Sequence, residues 1–246
     1  MGDIVLYEKK GHVVYVTMNR PEKRNALNRA LVEGLRTAWT RYSQDEEAYV
    51  AVLSGAGGKA FCAGMDLSEP GDLAPAYPGI GVELYKPVIA AINGYCFGGG
   101  FAVAMYSDIR IAASDAQFAL PEAKRGIMAG YAQVLTRYIP MGVAMEILIT
   151  GNVITAQRAY EVGFVNQVVA PDKLMEAAVT MAEGIAANAP LLIKTVKKLV
   201  HLQTYPSVME VAAVGNRIMT ALVESEDAKE GARALMEKRK PIYKGR

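Results

Sequence analysis

The sequence predicts an α/β protein, and three observations carry that prediction. Short apolar runs of strand length, such as Ala51-Val-Leu-Ser54 and Pro87-Val-Ile-Ala-Ala-Ile92, alternate with helical patterns through most of the chain. Leu27, Leu31, Leu35 and Trp39 recur at the four-residue spacing of one helix face. Apolar residues make up 52% and charged residues 21% of the 246, enough to bury a full core and too ordinary for a disordered chain.

Taken in order, residues 4–8 and 12–18 are strand-like and share a turn at Lys10-Gly11. Asn19-Arg20-Pro21 breaks that pattern, and a helix follows from 27 to about 46. Strand 51–54 leads into a loop at Gly55 to Gly58, and the Pro-, Gly- and Ala-rich stretch 70–80 reads as an irregular, mobile loop. Strand 87–92 ends at Asn93-Gly94, helix 98–106 follows, and strand-like segments occupy 109–113 and 116–119. Helices are then expected at 130–138, 142–150, 155–162 with Thr155 as N-cap, and 172–187, with a short strand at 165–169. Three helices close the chain, at 190–202, 206–223 and 226–238. The middle one is apolar nearly all round, which suits burial between subunits or within the chain's own core.

The bulk properties exclude several classes of function. A net charge of +2 gives no electrostatic footprint for nucleic acid. No apolar stretch reaches the roughly 18–20 residues of a membrane span, and two cysteines make no disulfide scaffold, so a cytoplasmic protein is expected. His12 and His201 have no partner at metal-ligand spacing, so no metal site is expected. Chemistry would have to come from carboxylates, backbone dipoles, hydroxyls or a bound cofactor.

One segment stands out. Phe-Gly-Gly-Gly-Phe-Ala at 97–102 joins a strand to a helix, and three glycines there leave backbone N–H groups uncovered by side chains. Alone, such a turn serves equally as a tight packing corner or as an anion site. Glu122, in Leu120-Pro-Glu122, is a carboxylate where a helix begins, so by itself it complements the helix dipole as readily as it catalyses.

Four segments in register remove that ambiguity: Asn19-Arg-Pro-Glu-Lys-Arg-Asn-Ala-Leu27, Phe61-Cys-Ala-Gly-Met-Asp-Leu67, Ala91-Ile-Asn-Gly-Tyr-Cys-Phe-Gly-Gly-Gly100 and Phe118-Ala-Leu-Pro-Glu-Ala-Lys-Arg-Gly126. In this order the chain resembles the enoyl-CoA hydratase/isomerase (crotonase) superfamily over essentially its whole length. The resemblance implies a crotonase-like spiral of repeated ββα units over 1–188, with a C-terminal helical region at 189–246 that builds trimers or stacked hexamers. It implies an acyl-coenzyme A thioester as ligand, with coenzyme A part of the substrate and no separate cofactor.

It further implies an oxyanion hole from the backbone N–H groups of Met65 and Gly99, with Glu122 as acid/base. Two preorganised donors at a developing enolate lower its barrier by about 3 kcal/mol or more. Ala26, Ala63, Leu67 and Gly98 fall at acyl-CoA-binding positions. Asp66 does too, although it also reads as a cap for a following helix turn. Lys23, Arg24 and Lys240 are candidates for the coenzyme A phosphates. Tyr131 is a candidate proton donor or water-holder, or else a packing residue, and Tyr95 reads as packing. Ala102 departs from the family pattern, standing where hydratases carry their other glutamate. That tilts the mechanism toward a single-base reaction such as a 3-enoyl to 2-enoyl shift. The alternatives are a thioester hydrolase or decarboxylase on the same fold, or a non-catalytic member binding acyl-CoA or RNA.

Overall fold

Strand β1 (Val5–Lys10) and strand β2 (Val13–Met18) pair antiparallel across the turn at Gly11, and from β2 onward the main sheet grows in parallel. The computed structural model of the protein describes residues 3–127, 130–204, 224, 226–239 and 241–242. The expected helix at 206–223 and the candidate Lys240 lie outside the described residues.

Helix α1 (Arg29–Gln44) starts two residues later than its apolar spacing predicts, because the Asn28 side chain accepts from the Leu31 N–H at 3.0 Å. Leu27 therefore remains extended. Strand β3 (Val50–Gly55) pairs with β2. Two strands too short to show a period then appear at β4 (Ala60–Cys62) and, after β5 (Val88–Ile92), at β6 (Tyr95–Phe97). Helix α2 (Gly99–Met105) follows, then β7 (Ile109–Ala113), β8 (Gln117–Ala119) and the single-turn helix α3 (Glu122–Arg125).

The segment at 130–138 is a 3-10 helix over Ala132–Arg137 rather than a longer α-helix. After it come α4 (Met141–Thr150), β9 (Ile154–Thr155) and α5 (Ala156–Glu161). The chain closes with β10 (Gln167–Val169), α6 (Leu174–Ala186), α7 (Pro190–Thr204) and α8 (Glu226–Met236). Thr155 caps α5 as expected, accepting from the Arg158 N–H at 3.1 Å.

The strands form a six-stranded sheet, β1-β2-β3-β5-β7-β10, and a four-stranded one, β4-β6-β8-β9. Successive strands alternate between the two: β3 then β4, β5 then β6, β7 then β8. The last two pairs are each followed by a helix, so the expected strand-strand-helix repeat is present in the chain order. Alternation along the strands sorts the core. Val50, Val52, Ile89, Ala91, Ile111 and Ala113 bury one sheet face against Leu174, Ala178 and Ala182 of α6. Ala51, Leu53, Val88, Ala90, Ile92 and Ala112, on the opposite face, are equally buried. Covering both faces is why these strands read as continuous apolar runs.

The stretch 70–80 is more tied down than its composition predicts. It holds a 3-10 turn at Ala74–Ala76, and buried Ala76 accepts the Trp39 indole N–H at 2.8 Å. By packing, the chain groups into one unit of residues 1–118 with 154–199 and another of 119–153 with 200–246. The division at residue 188 concerns oligomerisation, which packing within one chain does not address.

Candidate active site

The first unit carries the glycine turn. Residues 24–27 run beside 63–66: Ala63 N–H donates to Arg24 O at 3.0 Å, Leu27 N–H to Gly64 O at 2.8 Å, and Asp66 N–H to Leu27 O at 2.9 Å. Leu27 and Met65 thus form an isolated parallel bridge. In such a bridge the residue lying between the two bonds turns its own N–H the other way. The Met65 N–H consequently meets no acceptor among the described residues.

Gly99 is the first residue of α2, ahead of any intrahelical acceptor, and its N–H is likewise unspent among the described residues. A methyl group on Gly99 would stand 3.5 Å from the Met65 nitrogen, so the two uncommitted donors are close neighbours. The turn that brings them together needs glycine for separate reasons. Gly98 adopts φ 52° and ψ −120°, a conformation closed to ordinary side chains. Gly100 packs on β4, where a methyl would run into the Cys62 carbonyl and come within 2.7 Å of the Cys62 Cβ.

Polar groups that sequence reasoning did not single out hold this arrangement. Asn25 is fully buried with φ 54°, and its amide donates to Ala56 O at 3.0 Å and Ala60 O at 2.9 Å. Its carbonyl accepts the Arg20 N–H at 3.0 Å. Arg20 in turn donates from Nη1 to Ala26 O at 3.1 Å and to Asp66 Oδ2 at 2.6 Å. The only sequence signal for Asn25 is that asparagine tolerates a left-handed backbone.

Asp66 does not cap a helix, since none follows it. Its Oδ1 accepts from Ser68 Oγ at 2.6 Å and Ser68 N at 3.1 Å, closing a local turn instead. The Ser68 hydroxyl, then the Arg20 guanidinium, hold the Asp66 carboxyl down at about 2. Both oxygens are occupied by the protein itself.

The remaining candidates of this unit divide by exposure. Lys23 and Arg24 are exposed, with the Arg24 guanidinium 5.6 Å from the centre of the Tyr95 ring. Tyr95 also tilts against Phe97 at 5.1 Å, in keeping with a packing role. Ala26 and Ala63 are half-buried, Leu67 is exposed, and Gly98 and Ala102 are buried. Ala102, three residues beyond Gly99 on the same side of α2, carries no polar group. Cys62 and Cys96 lie opposite each other on β4 and β6 as free buried thiols, and burial pushes Cys62 up to about 12. They are poor nucleophiles.

The second unit carries the carboxylate. Glu122 opens α3, and Oε1 accepts the Tyr131 hydroxyl at 2.7 Å. Oε2 is buried and meets no hydrogen-bond partner among the described residues. Burial raises the Glu122 pKa, opposed by the Tyr131 bond, its own backbone N–H and the charge of Arg125. A partly desolvated acid with one uncommitted oxygen is suited to exchanging a proton with a ligand. Among the described residues no cluster of three or more His, Cys, Asp or Glu side chains is placed to hold a metal, and no helix is long and apolar enough to cross a membrane.

Comparison with known proteins agrees with these observations. An (E)-benzylidenesuccinyl-CoA hydratase of Thauera aromatica is 39% identical, covering 98% of this chain and 99% of its own. A carnitinyl-CoA dehydratase of Proteus mirabilis is 37% identical over 96% and 97% of the two chains. Among solved structures, a carnitinyl-CoA hydratase from Mycobacterium avium superposes with a TM-score of 0.89 at 36% identity over 100% of both chains. The profile described as enoyl-CoA hydratase/isomerase matches residues 8–246, and the chain belongs to that family.

Proposed function

We propose that the protein is an acyl-CoA enzyme of enoyl-CoA hydratase/isomerase type, with Glu122 as its single acid/base. The observation that carries this reading is the Glu122 carboxyl: one oxygen held by Tyr131, the other buried and unpartnered among the described residues, and the pKa raised by burial. The Met65 and Gly99 N–H groups, uncommitted among the described residues, support an oxyanion hole for the thioester carbonyl. Relatives named as hydratases and dehydratases of CoA thioesters support the substrate class.

The chemistry follows from charge. Loss of a proton from the carbon beside the thioester places negative charge on the carbonyl oxygen, where two backbone donors stabilise it without reorganising. The Glu122 carboxylate takes that proton and, as the acid, returns it two carbons further along, which moves the double bond. In hydration the same acid gives its proton to the carbon beside the thioester while water attacks the far carbon, and the proton that water sheds returns to the Glu122 carboxylate. Ala102 offers no carboxylate to orient that water, so the single-carboxylate shift is the reaction its composition favours. Neither route requires a cofactor beyond the coenzyme A of the substrate. Cytoplasmic residence and self-association through the C-terminal helices belong to the same reading. The two free buried cysteines and the exposed Leu191, Leu192 and Val196 of α7 support it.

The test follows enoyl-thioester absorbance with crotonyl-CoA and 3-hexenoyl-CoA. Loss with the first marks hydration and gain with the second marks isomerisation, while thiol release from either marks hydrolysis. Wild type and Glu122→Gln inert alike on a broad thioester panel would defeat the enzymatic reading.

A further inference from the structure

We infer that Tyr131 is a positioning residue: its hydroxyl holds Glu122 Oε1 and dedicates Oε2 to proton transfer. The inference rests on the reading of Glu122 as the acid/base. The two oxygens of a free carboxyl exchange roles by rotation about the last side-chain bond. Here the 2.7 Å bond from Tyr131 occupies Oε1, while Oε2 is buried and unpartnered among the described residues. Oε1 already accepts a donor, so Oε2 is the oxygen left to carry and exchange the proton.

The frame around the pair supports a fixed geometry. Glu122 begins a helix that closes at Gly126, with Ile127 N–H returning to Glu122 O at 3.1 Å. Gly231 of α8 lies against the Arg125 carbonyl, where even a methyl would not fit. Tyr131 itself stands at the start of the 3-10 helix Ala132–Arg137. Arg125 on the same helix acts on the carboxyl, and Lys124 is engaged with Asn152. The elements packed on α3 bring Glu146 on α4 and Glu226, Lys229, Glu230 and Arg233 on α8, of which Glu230 is paired with Arg239.

The position also explains why a phenol suits this place. A neutral donor stabilises the carboxylate without the full bias of a cation, leaving the acid able both to take up and to give up a proton. A lysine or arginine here would hold it permanently ionised.

The experiment pairs Tyr131→Phe with Glu122→Gln. The infrared carboxyl band of Glu122 is identified by its loss in Glu122→Gln and titrated in wild type and Tyr131→Phe, with no substrate present. Loss of one hydrogen bond to a charged group should move its half-titration up by about one pH unit. With 3-hexenoyl-CoA, where Glu122 starts as the base, the acid limb of the pH–rate profile should move with the band; with crotonyl-CoA, where it starts as the acid, the alkaline limb should. At pH 7, kcat should fall about tenfold with KM within about twofold of wild type. A band and limb that stay in place would overturn the inference. So would a loss as deep as that of Glu122→Gln at every pH, which would make Tyr131 a proton donor in its own right. A shifted band beside undiminished turnover by Glu122→Gln would confirm the pairing and defeat the acid/base reading. Should Tyr131→Phe fail to fold, a 3-fluorotyrosine at 131 strengthens the donor and should move the band downward instead.

Discussion

Arg20 and Asp66 are 46 positions apart in the chain, yet Nη1 of one lies 2.6 Å from Oδ2 of the other. The pair ties the segment 20–27 to the residue beside Met65, whose own N–H meets no acceptor among the described residues. Arg20→Ala should cost about 1–3 kcal/mol of stability, read as a shift in urea midpoint, and should lower kcat more than it changes KM. The pH dependence has a definite sign. Asp66 is depressed to about 2 from 3.8, so its contribution is full above about pH 4 and is lost as pH falls toward 2. The stability difference between wild type and Arg20→Ala should therefore shrink across that window. A difference independent of pH would show that the ion pair is not what anchors this corner.

On the proposed reading, substitutions at the two neighbouring glycines should separate catalysis from folding. At Gly99 a methyl meets Leu73 Cδ1 at 2.6 Å and Leu27 Cδ1 at 3.2 Å, both ends of flexible side chains, and sits 3.5 Å from the Met65 nitrogen. Gly99→Ala should keep its fold while crowding the donors, lowering kcat by about 10²-fold. At Gly100 the obstacle is the Cys62 backbone, which cannot swing aside. Gly100→Ala should instead lose stability, by about 1–3 kcal/mol or more. Thermal melts and initial rates on both variants check the contrast, and the reverse ranking would move the donor site elsewhere.

Removing the Glu122 charge should stabilise the protein. Because burial raises its pKa above the ordinary 4.5, the folded chain holds a proton that the unfolded chain releases, so stability declines as pH rises through the folded value. Glu122→Gln escapes that decline. At pH 7 it should be more stable than wild type by about 1 kcal/mol, with the gain fading below about pH 4.5. Denaturant melts at pH 4 and pH 7 decide it, and a variant less stable at pH 7 would contradict the burial argument.

Lys197 anchors α7 to the main sheet. Its Nζ, on a side chain only 8% exposed, donates to Asp108 Oδ2 at 2.7 Å and to Lys86 O at 2.9 Å. Asp108 Oδ2 also accepts the Val88 N–H at 2.8 Å, so truncation leaves a carboxylate short of its cation. Lys197→Ala should cost about 3 kcal/mol with the kcat of the remaining folded enzyme unchanged. A melt within experimental error of wild type would refute this.

Residues whose behaviour is set by local pattern were readable from the chain. The period along Leu27 to Trp39 marks α1, the apolar runs mark β3, β5 and β7, and Thr155 announces its own helix. Four motifs in register identified the family and the candidate pair Met65 and Gly99. Strands β4, β6 and β9, of two or three residues, left no trace because so short a segment has no period to show, whereas the equally short β8 and β10 lie within the expected segments 116–119 and 165–169. Leu27 was misplaced into the helix for a related reason. Its hydrophobic spacing fits α1, but the Asn28 cap and the bridge to Met65 keep it extended.

By itself, then, the sequence determined the α/β class, the order of the main elements, the family and the residue types from which a thioester site could be built. Only the tertiary structure decided which of their atoms are free to act. Whether a backbone N–H or carboxyl oxygen is available among the described residues depends on what packs beside it: Leu27 bonding to Gly64 and Asp66 so that the Met65 N–H between them is unspent, Arg20 and Ser68 occupying Asp66, Tyr131 taking one oxygen of Glu122 and leaving the other. A hydrogen-bonding group is spent or spare according to what folds against it, and chain position does not record that.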